Sequence, residues 1–285
     1  MKKYIALFLL IGLFYTTTAQ DSATYYLELG KAQYESEKFV NATKNFKRAY
    51  ELAPKNYEIT KSFADSKHKL ELFQPAIDLY NEAEKLNQQD AELYFNRGAA
   101  YVFIEEFKKA IKDFDESINL DPNVAEVYYF RGFSNAELNR YKAAIENYSK
   151  AIELKPDYAA ALYNRGAAKA ELSSYEAGMK DFEAALEKEP NLENGRINIA
   201  LSKLGMEKYK EAIVDFDYVI GQRDKNLARA YYYRGEAKFE LDQKKEACSD
   251  WLKASNLGND QATSNVASFC GNKVKDRKKE IDIIF

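Results

Sequence analysis

The residues that could carry chemistry recur as a pair. Arg97-Gly98 stands in "YFNRGAAY", and the same Arg-Gly returns at Arg131-Gly132, Arg165-Gly166 and Arg234-Gly235. An arginine offers five donors in a fixed fork, and glycine allows close backbone approach, so the pair could grip an anion or serve the frame. Beyond it the inventory is thin. His68 is the single histidine, with no obvious nucleophile or carboxylate partner. Cys248 and Cys270 are the two cysteines, and two thiols without a nearby histidine make a poor zinc site. No glycine-rich phosphate loop, paired-cysteine motif or serine elbow occurs. Carboxylates are spread over exposed helical phases, as in "EEFKKAIKD", where they form a solvated face with i,i+4 pairs. The expectation is a non-enzymatic chain with no cofactor and no metal.

The elements that must position these residues are periodic. Gly98, Gly132 and Gly166 are 34 residues apart, and Gly30 and Gly235 keep the same clock. Pro54, Pro122, Pro156 and Pro190 fall at one phase of it. A fixed period of this size is the mark of a solenoid-type array. Small residues recur on the same clock at Ala42, Ala76, Ala110, Ala144, Ala212 and Ala247, and rings at Phe46, Tyr80, Phe114, Tyr148, Phe182, Phe216 and Trp251. A proline at these four places stops a helix, because it lacks an N–H and clashes with the preceding turn. Pro75 is off this phase, in the first turn of a helix, where proline is tolerated.

This pattern resembles the tetratricopeptide repeat, a helix–turn–helix unit. The resemblance implies an all-α, right-handed superhelical solenoid of seven such repeats with a C-terminal capping helix. The repeats lie near 23–56, 57–90, 91–124, 125–158, 159–192, 193–227 and 228–261, within an array over 21–260. The second and sixth are degenerate: Thr60 replaces the first ring, and the sixth is one residue longer. Gly178 stands in the fifth where alanine is usual. "DQATSNVASFC" places Ala262, Val266 and Phe269 at helical spacing and reads as the cap, over 261–271. Cys248 on the last second helix and Cys270 at the end of the cap fit a disulfide pinning the two, with free thiols the alternative. Residues 272–285 form a charged tail with an apolar end. It reads as a frayed tail, with docking of Ile281–Phe285 as the alternative.

Composition narrows the partner. Charged residues make up 31% of the chain, aromatics 14%, and the net charge is −3. That balance points away from nucleic acid and acidic membranes. Residues 1–20 read as a secretory signal peptide: Lys2 and Lys3, then the apolar "YIALFLLIGLFY", then a cut between Ala19 and Gln20. The apolar run is too short for a bilayer core, which takes roughly 20 residues, so no integral span is expected in the mature chain. The protein is therefore expected in the periplasm, at the outer membrane or secreted.

Function must then lie in a surface. The resemblance implies a concave groove built mainly by the first helix of each repeat. There the chain carries Phe95, Asn96, Phe103, Tyr129, Phe130, Phe133, Tyr163, Asn164, Asn198, Tyr232 and Tyr233. Rings beside amides suit a protein or peptide ligand, in a cell-envelope scaffold. A glycan- or cell-wall-binding module and a chaperone-like holder are the alternatives. The carboxylate clamp known in chaperone-binding members is argued against: Lys61 and Asn96 fit it, but Asp65, Glu126 and Phe130 do not. The recurrent arginine faces the second helix of its own repeat, where Asp113 answers Arg97, Asp181 answers Arg165 and Asp250 answers Arg234. Asn147 stands opposite Arg131, and Asp215 lacks its arginine because Ile199 replaces it. Structural ion pairs are expected, and no anion grip.

Overall fold

The computed structural model describes residues 21–192, 194–222 and 226–271. The signal-peptide reading of 1–20 and the tail at 272–285 lie outside the described residues. All regular structure among the described residues is helical, and the chain divides into two compact units, up to Leu138 and from Asn139 onward.

The first unit holds α1 (21–35), α2 (Phe39–Leu52), α3 (Tyr57–Lys69), α4 (Phe73–Leu86), α5 (Ala91–Phe103), α6 (Phe107–Leu120) and α7 (Ala125–Glu137). The second holds α8 (Tyr141–Leu154), α9 (Ala159–Glu171), α10 (Tyr175–Lys188), α11 (Gly195–Gly205), α12 (Tyr209–Gly221), α13 (Leu227–Glu240), α14 (Lys244–Asn256) and α15 (Asp260–Phe269). Odd-numbered helices up to α13 are the first helices of the repeats, and even-numbered ones the second. Each pair is an antiparallel neighbour of the next within its unit, as α3 packs on α2 and α4, and α9 on α8 and α10. The fold is an all-α tetratricopeptide-type solenoid. The cap α15 begins one residue earlier than expected and ends two residues sooner.

Local sequence explains the helix ends. Pro54, Pro122, Pro156 and Pro190 each fall two residues past a second helix. Asn56 caps α3 by accepting from the Ile59 N–H, Asp90 caps α5 by accepting from Glu92 and Leu93, and Asn259 caps α15 by accepting from Ala262. Between the two helices of every repeat one residue turns left-handed: Glu37, Glu71, Glu105, Asn139, Ser173, Glu207 and Asp242, all with φ between 56° and 61°.

The core is one ring per repeat laid against a small residue. Phe46, Tyr80 and Phe114 in the first unit, and Tyr148, Phe182, Phe216 and Trp251 in the second, are all buried. Burying a side chain of this size contributes roughly 1.5–3 kcal/mol. Gly98 faces its ring directly: a Cβ there would sit 2.6 Å from Phe114 Cε1. The fifth repeat solves the approach differently. A Cβ on Gly178 would lie 2.7 Å from the Gly166 carbonyl oxygen, so two glycines face each other and Gly178 fits where alanine would clash. The degenerate second repeat keeps its geometry because Thr60 is buried and donates to the Asn56 carbonyl at 2.9 Å.

In the second unit α15 covers α14. Phe269 meets Trp251 at 6.0 Å and Phe239 at 5.3 Å between ring centroids. Cys248 and Cys270 are joined by a disulfide, with Cα atoms 5.6 Å apart.

Candidate partner-binding face

The recurrent arginines are frame. Arg97 Nε and Nη2 donate to the two oxygens of Asp113 at 2.7 and 2.8 Å, and both side chains are buried. Arg165 grips Asp181 at 2.8 and 2.7 Å, and Arg234 grips Asp250 at 2.8 and 2.6 Å. The remaining nitrogen reaches back one repeat, to the second helix before it. Arg97 Nη1 donates to Asn81 and Glu84, Arg131 to Asp115, Arg165 to the Ser149 hydroxyl and Arg234 to Asp217. Each arginine of this set with a carboxylate grip therefore ties two repeats together. This second partner was missed in the sequence, although a polar residue recurs 16 or 17 positions before each arginine. Asp215, which lacks its arginine, is held instead by Lys203 at 2.6 Å. Lys169 and Lys238 make the same contact to Asp181 and Asp250, also at 2.6 Å.

Electrostatics follow the geometry. Burial pushes the Asp250 carboxyl up, but Arg234 and Lys238 pull it further down, so it ends below the ordinary carboxylate range. Burial works against the Arg97 cation, and Asp113 and Glu84 more than offset it.

The expected groove residues divide by burial. Tyr163, Asn164, Asn198, Tyr232 and Tyr233 are buried, so they are corrected to core positions with no free surface for a partner. The reason is packing against neighbouring helices, both first and second. Asn198 donates to the Tyr163 hydroxyl at 3.0 Å, and Tyr232 packs on Tyr233 at 4.7 Å, which stacks on Phe216. The rings of the first unit remain accessible. Phe95 is half-buried between Phe114 and Phe130, at 6.2 and 5.8 Å. Tyr129 meets Phe130 edge-on at 5.3 Å, and Phe133 meets Phe107 at 6.3 Å. Phe103 is 60% exposed. It lies parallel to Phe73, 4.5 Å between centroids with planes 3° apart, and His68 abuts both rings edge-on.

Beside the rings is a polar knot that the sequence did not announce. Asp65 accepts from Tyr80 at 2.7 Å, from Asn96 at 3.0 Å and from Lys61 at 3.1 Å, and Lys61 also reaches Glu92 at 2.9 Å. Burial opposes the Lys61 charge, but Asp65 and Glu92 outweigh it and hold the ammonium above its ordinary range. Lys61 and Asn96 are thus bound to the chain's own carboxylates and present no clamp for a foreign one. Asp65 also lines a pocket of about 130 Å³ with Lys31, Tyr34, Glu35, Phe46 and Ser62. Burial, with Asp65 nearby, pushes the Tyr34 hydroxyl up to about 12, so it stays a neutral donor. Among the described residues no group of three or more His, Cys, Asp or Glu side chains could hold a metal ion, and no helix is long and apolar enough to cross a membrane.

Comparison with known proteins places this geometry. A model of the tetratricopeptide repeat matches residues 91–124, and a TPR-repeat model matches 65–102 and 135–173. No curated protein gives a significant match. Among solved structures, the MamA protein is similar at a TM-score of 0.56 and 27% identity, covering 60% of this chain and 93% of that one. A tetratricopeptide repeat protein from Parabacteroides merdae is similar at a TM-score of 0.60 and 20% identity, covering 87% of this chain and 98% of that one. YrrB, a TPR protein with an unusual peptide-binding site, is similar at a TM-score of 0.58 and 22% identity, covering 64% of this chain and 94% of that one. The last two bear on the fold alone. The repeat motifs and the helix pairs agree with these matches: the chain carries tetratricopeptide repeats within 65–124 and 135–173, in a fold shared with solved tetratricopeptide-repeat proteins.

Proposed function

We propose that the chain is an exported scaffold whose first unit binds a peptide segment of a partner protein, with Phe95, Asn96, Phe103, Tyr129, Phe130 and Phe133 as the contact set. The observation that carries this reading is Phe103. Its ring is 60% exposed, yet the parallel stack on Phe73 and the edge contact with His68 hold it in one orientation. A large apolar face that is already ordered loses little entropy on binding, which is what an anchor for a peptide side chain needs. Half-buried rings at Phe95, Tyr129 and Phe130 widen the platform in the same unit. YrrB is a protein of this fold with a peptide-binding site.

Export rests on the leader reading of residues 1–20 and gains support from the Cys248–Cys270 disulfide, since such bonds persist in oxidising compartments. The test is co-purification from an envelope extract with the native protein and with Phe103→Ala. The expected result is a defined protein partner that the native chain retains and Phe103→Ala loses by about tenfold or more in affinity, within the range of an interface anchor. Retention of the partner by Phe103→Ala sinks the assigned face. Binding to a carbohydrate array with no protein partner favours the glycan reading instead. A mature N-terminus at Met1 or Lys2 overturns export.

A further inference from the structure

Between the α4–α5 connection and the start of α7 the first unit holds a cavity of about 450 Å³, a size that suits a ligand group. Its lining is of two kinds. Phe95, Val124 and Val127 supply apolar surface, while Asp90, Glu92 and Asp121 supply carboxylates. No lysine, arginine or histidine lines it among the described residues. Val127 is buried and Phe95 and Val124 are half-buried, so they form the floor; Glu92 and Asp121 are exposed at the rim.

The rim carboxylates are only partly engaged. Asp90 is committed, accepting from the Tyr57 hydroxyl and from the Glu92 and Leu93 N–H groups. Glu92 uses one oxygen on Lys61 at 2.9 Å, and Asp121 uses one on the Asn123 N–H at 3.0 Å. The second oxygen of each has no hydrogen-bond partner among the described residues. The neighbouring repeats do not carry this combination. One repeat earlier, Lys61 and Asn87 stand at the places of Phe95 and Asp121. One repeat later, Lys155 stands at the place of Asp121.

We infer that this cavity takes a lysine or arginine side chain of the partner segment, so that the face selects a basic peptide. The inference rests on the peptide reading of the first unit and adds the chemistry of its ligand. Acids alone would draw any cation to the rim. The apolar floor beside them calls for a cation on a stem: the methylenes cover Phe95 and Val124 while the charged head stays at the wet edge. The Phe95 ring adds attraction for a cation over its face. An acidic side chain would meet three carboxylates, and an apolar one would leave Glu92 and Asp121 without a new counter-charge.

Helix α5 also sets the distance to Phe103. Glu92 and Phe103 stand eleven residues apart on it, close to three whole turns, so they share a face about 16 Å long. An extended chain covers that length in about five residues. The ligand therefore carries an apolar residue for Phe103 and a basic one about five positions away.

The test is panning of a displayed library of random twelve-residue peptides on the native chain. The enriched peptides should carry an apolar residue and a lysine or arginine at that spacing. One of them, made with its basic residue and again with alanine there, is then titrated against the native chain and against the double variant Glu92→Gln, Asp121→Asn. Both positions are exposed and both replacements keep the side-chain shape, so the thermal unfolding profile should not change. The basic peptide should lose about tenfold in affinity on the variant, at up to about fivefold for each exposed ion pair. The alanine peptide should bind the two proteins equally. Enrichment of apolar peptides that lack a basic residue overturns the inference and leaves the peptide reading at Phe103 standing. So does a basic peptide that binds the variant as well as the native chain. A library from which nothing is enriched removes the peptide reading and this inference with it.

Discussion

Arg97 holds Asp113 with two parallel hydrogen bonds while its third nitrogen bonds Asn81 and Glu84 on the preceding helix pair. One guanidinium thus closes its own repeat and fastens it to the one before. Removing it leaves Asp113 buried without its counter-charge, which typically destabilises by about 3–5 kcal/mol. Arg97→Leu should lower the unfolding free energy from urea titration by that amount and leave the affinity of the folded protein for its partner unchanged. The double variant Arg97→Leu, Asp113→Leu should recover much of the loss, since the stranded charge goes with it. An affinity collapse in a normally folded Arg97→Leu protein contradicts the assignment to the frame.

The period, the rings from Phe46 to Trp251 and the Arg–Asp pairing were all legible in the sequence, because each repeats at one phase and selects one kind of residue. Three features were not. The reach of Arg97 to Asn81 and Glu84 crosses repeats, and its acceptor changes identity, from Asn81 to Asp115 to Ser149 to Asp217, so no single residue type marks it. The burial of Tyr163, Asn198 and Tyr232 depends on how the neighbouring helices pack around them, and Tyr163 looks the same in sequence as the more open Tyr129. The left-handed turns carry no glycine, the residue that would have announced them. For the binding face the chain types of the rings could be read, but which rings stay accessible could not.

His68 gives the first unit a pH dependence. Burial disfavours its charged form and lowers its pKa; Asp65 opposes this and Lys69 adds to it. With the folded pKa below the unfolded value of about 6.5, the unfolded chain takes the proton first. Stability is therefore full above about pH 6.5 and declines as pH falls through that value toward the folded pKa. His68→Phe should remove the decline between about pH 7 and 5, before most carboxylates titrate. Thermal melts across that range check it, and equal declines in both proteins would show that His68 is not responsible.

The disulfide supports the cap from the far side of a short loop. Cys248 and Cys270 are 22 residues apart, and closing a loop of that size stabilises by about 3 kcal/mol in the chain-entropy account. Reduction, or Cys248→Ser with Cys270→Ser, should lower the unfolding free energy of the second unit by about that amount. Hydrogen exchange should rise first in α15, where Phe269 leans on Trp251 and Phe239. A chain whose α15 amides exchange equally slowly with and without reductant would place the support of the cap in its side-chain packing alone.

The turn residues offer a gain in place of a loss. Glu105 sits at φ 61° between α5 and α6, a conformation that disfavours a side chain by about 1–2 kcal/mol and that glycine adopts freely. Its carbonyl neighbours are already fixed, since the Glu105 N–H donates to Val102 at 3.0 Å and the Glu106 N–H to Tyr101 at 2.9 Å. Glu105→Gly keeps both bonds and relieves the Cβ. Against this, glycine loses roughly 0.5–1 kcal/mol more backbone freedom on folding. The net expectation is a stabilisation of about 0.5–1 kcal/mol, read as a higher urea midpoint at unchanged slope. Glu105→Val, branched at Cβ, should move the midpoint the other way. If both variants shift it equally, the left-handed turn is not what sets the effect.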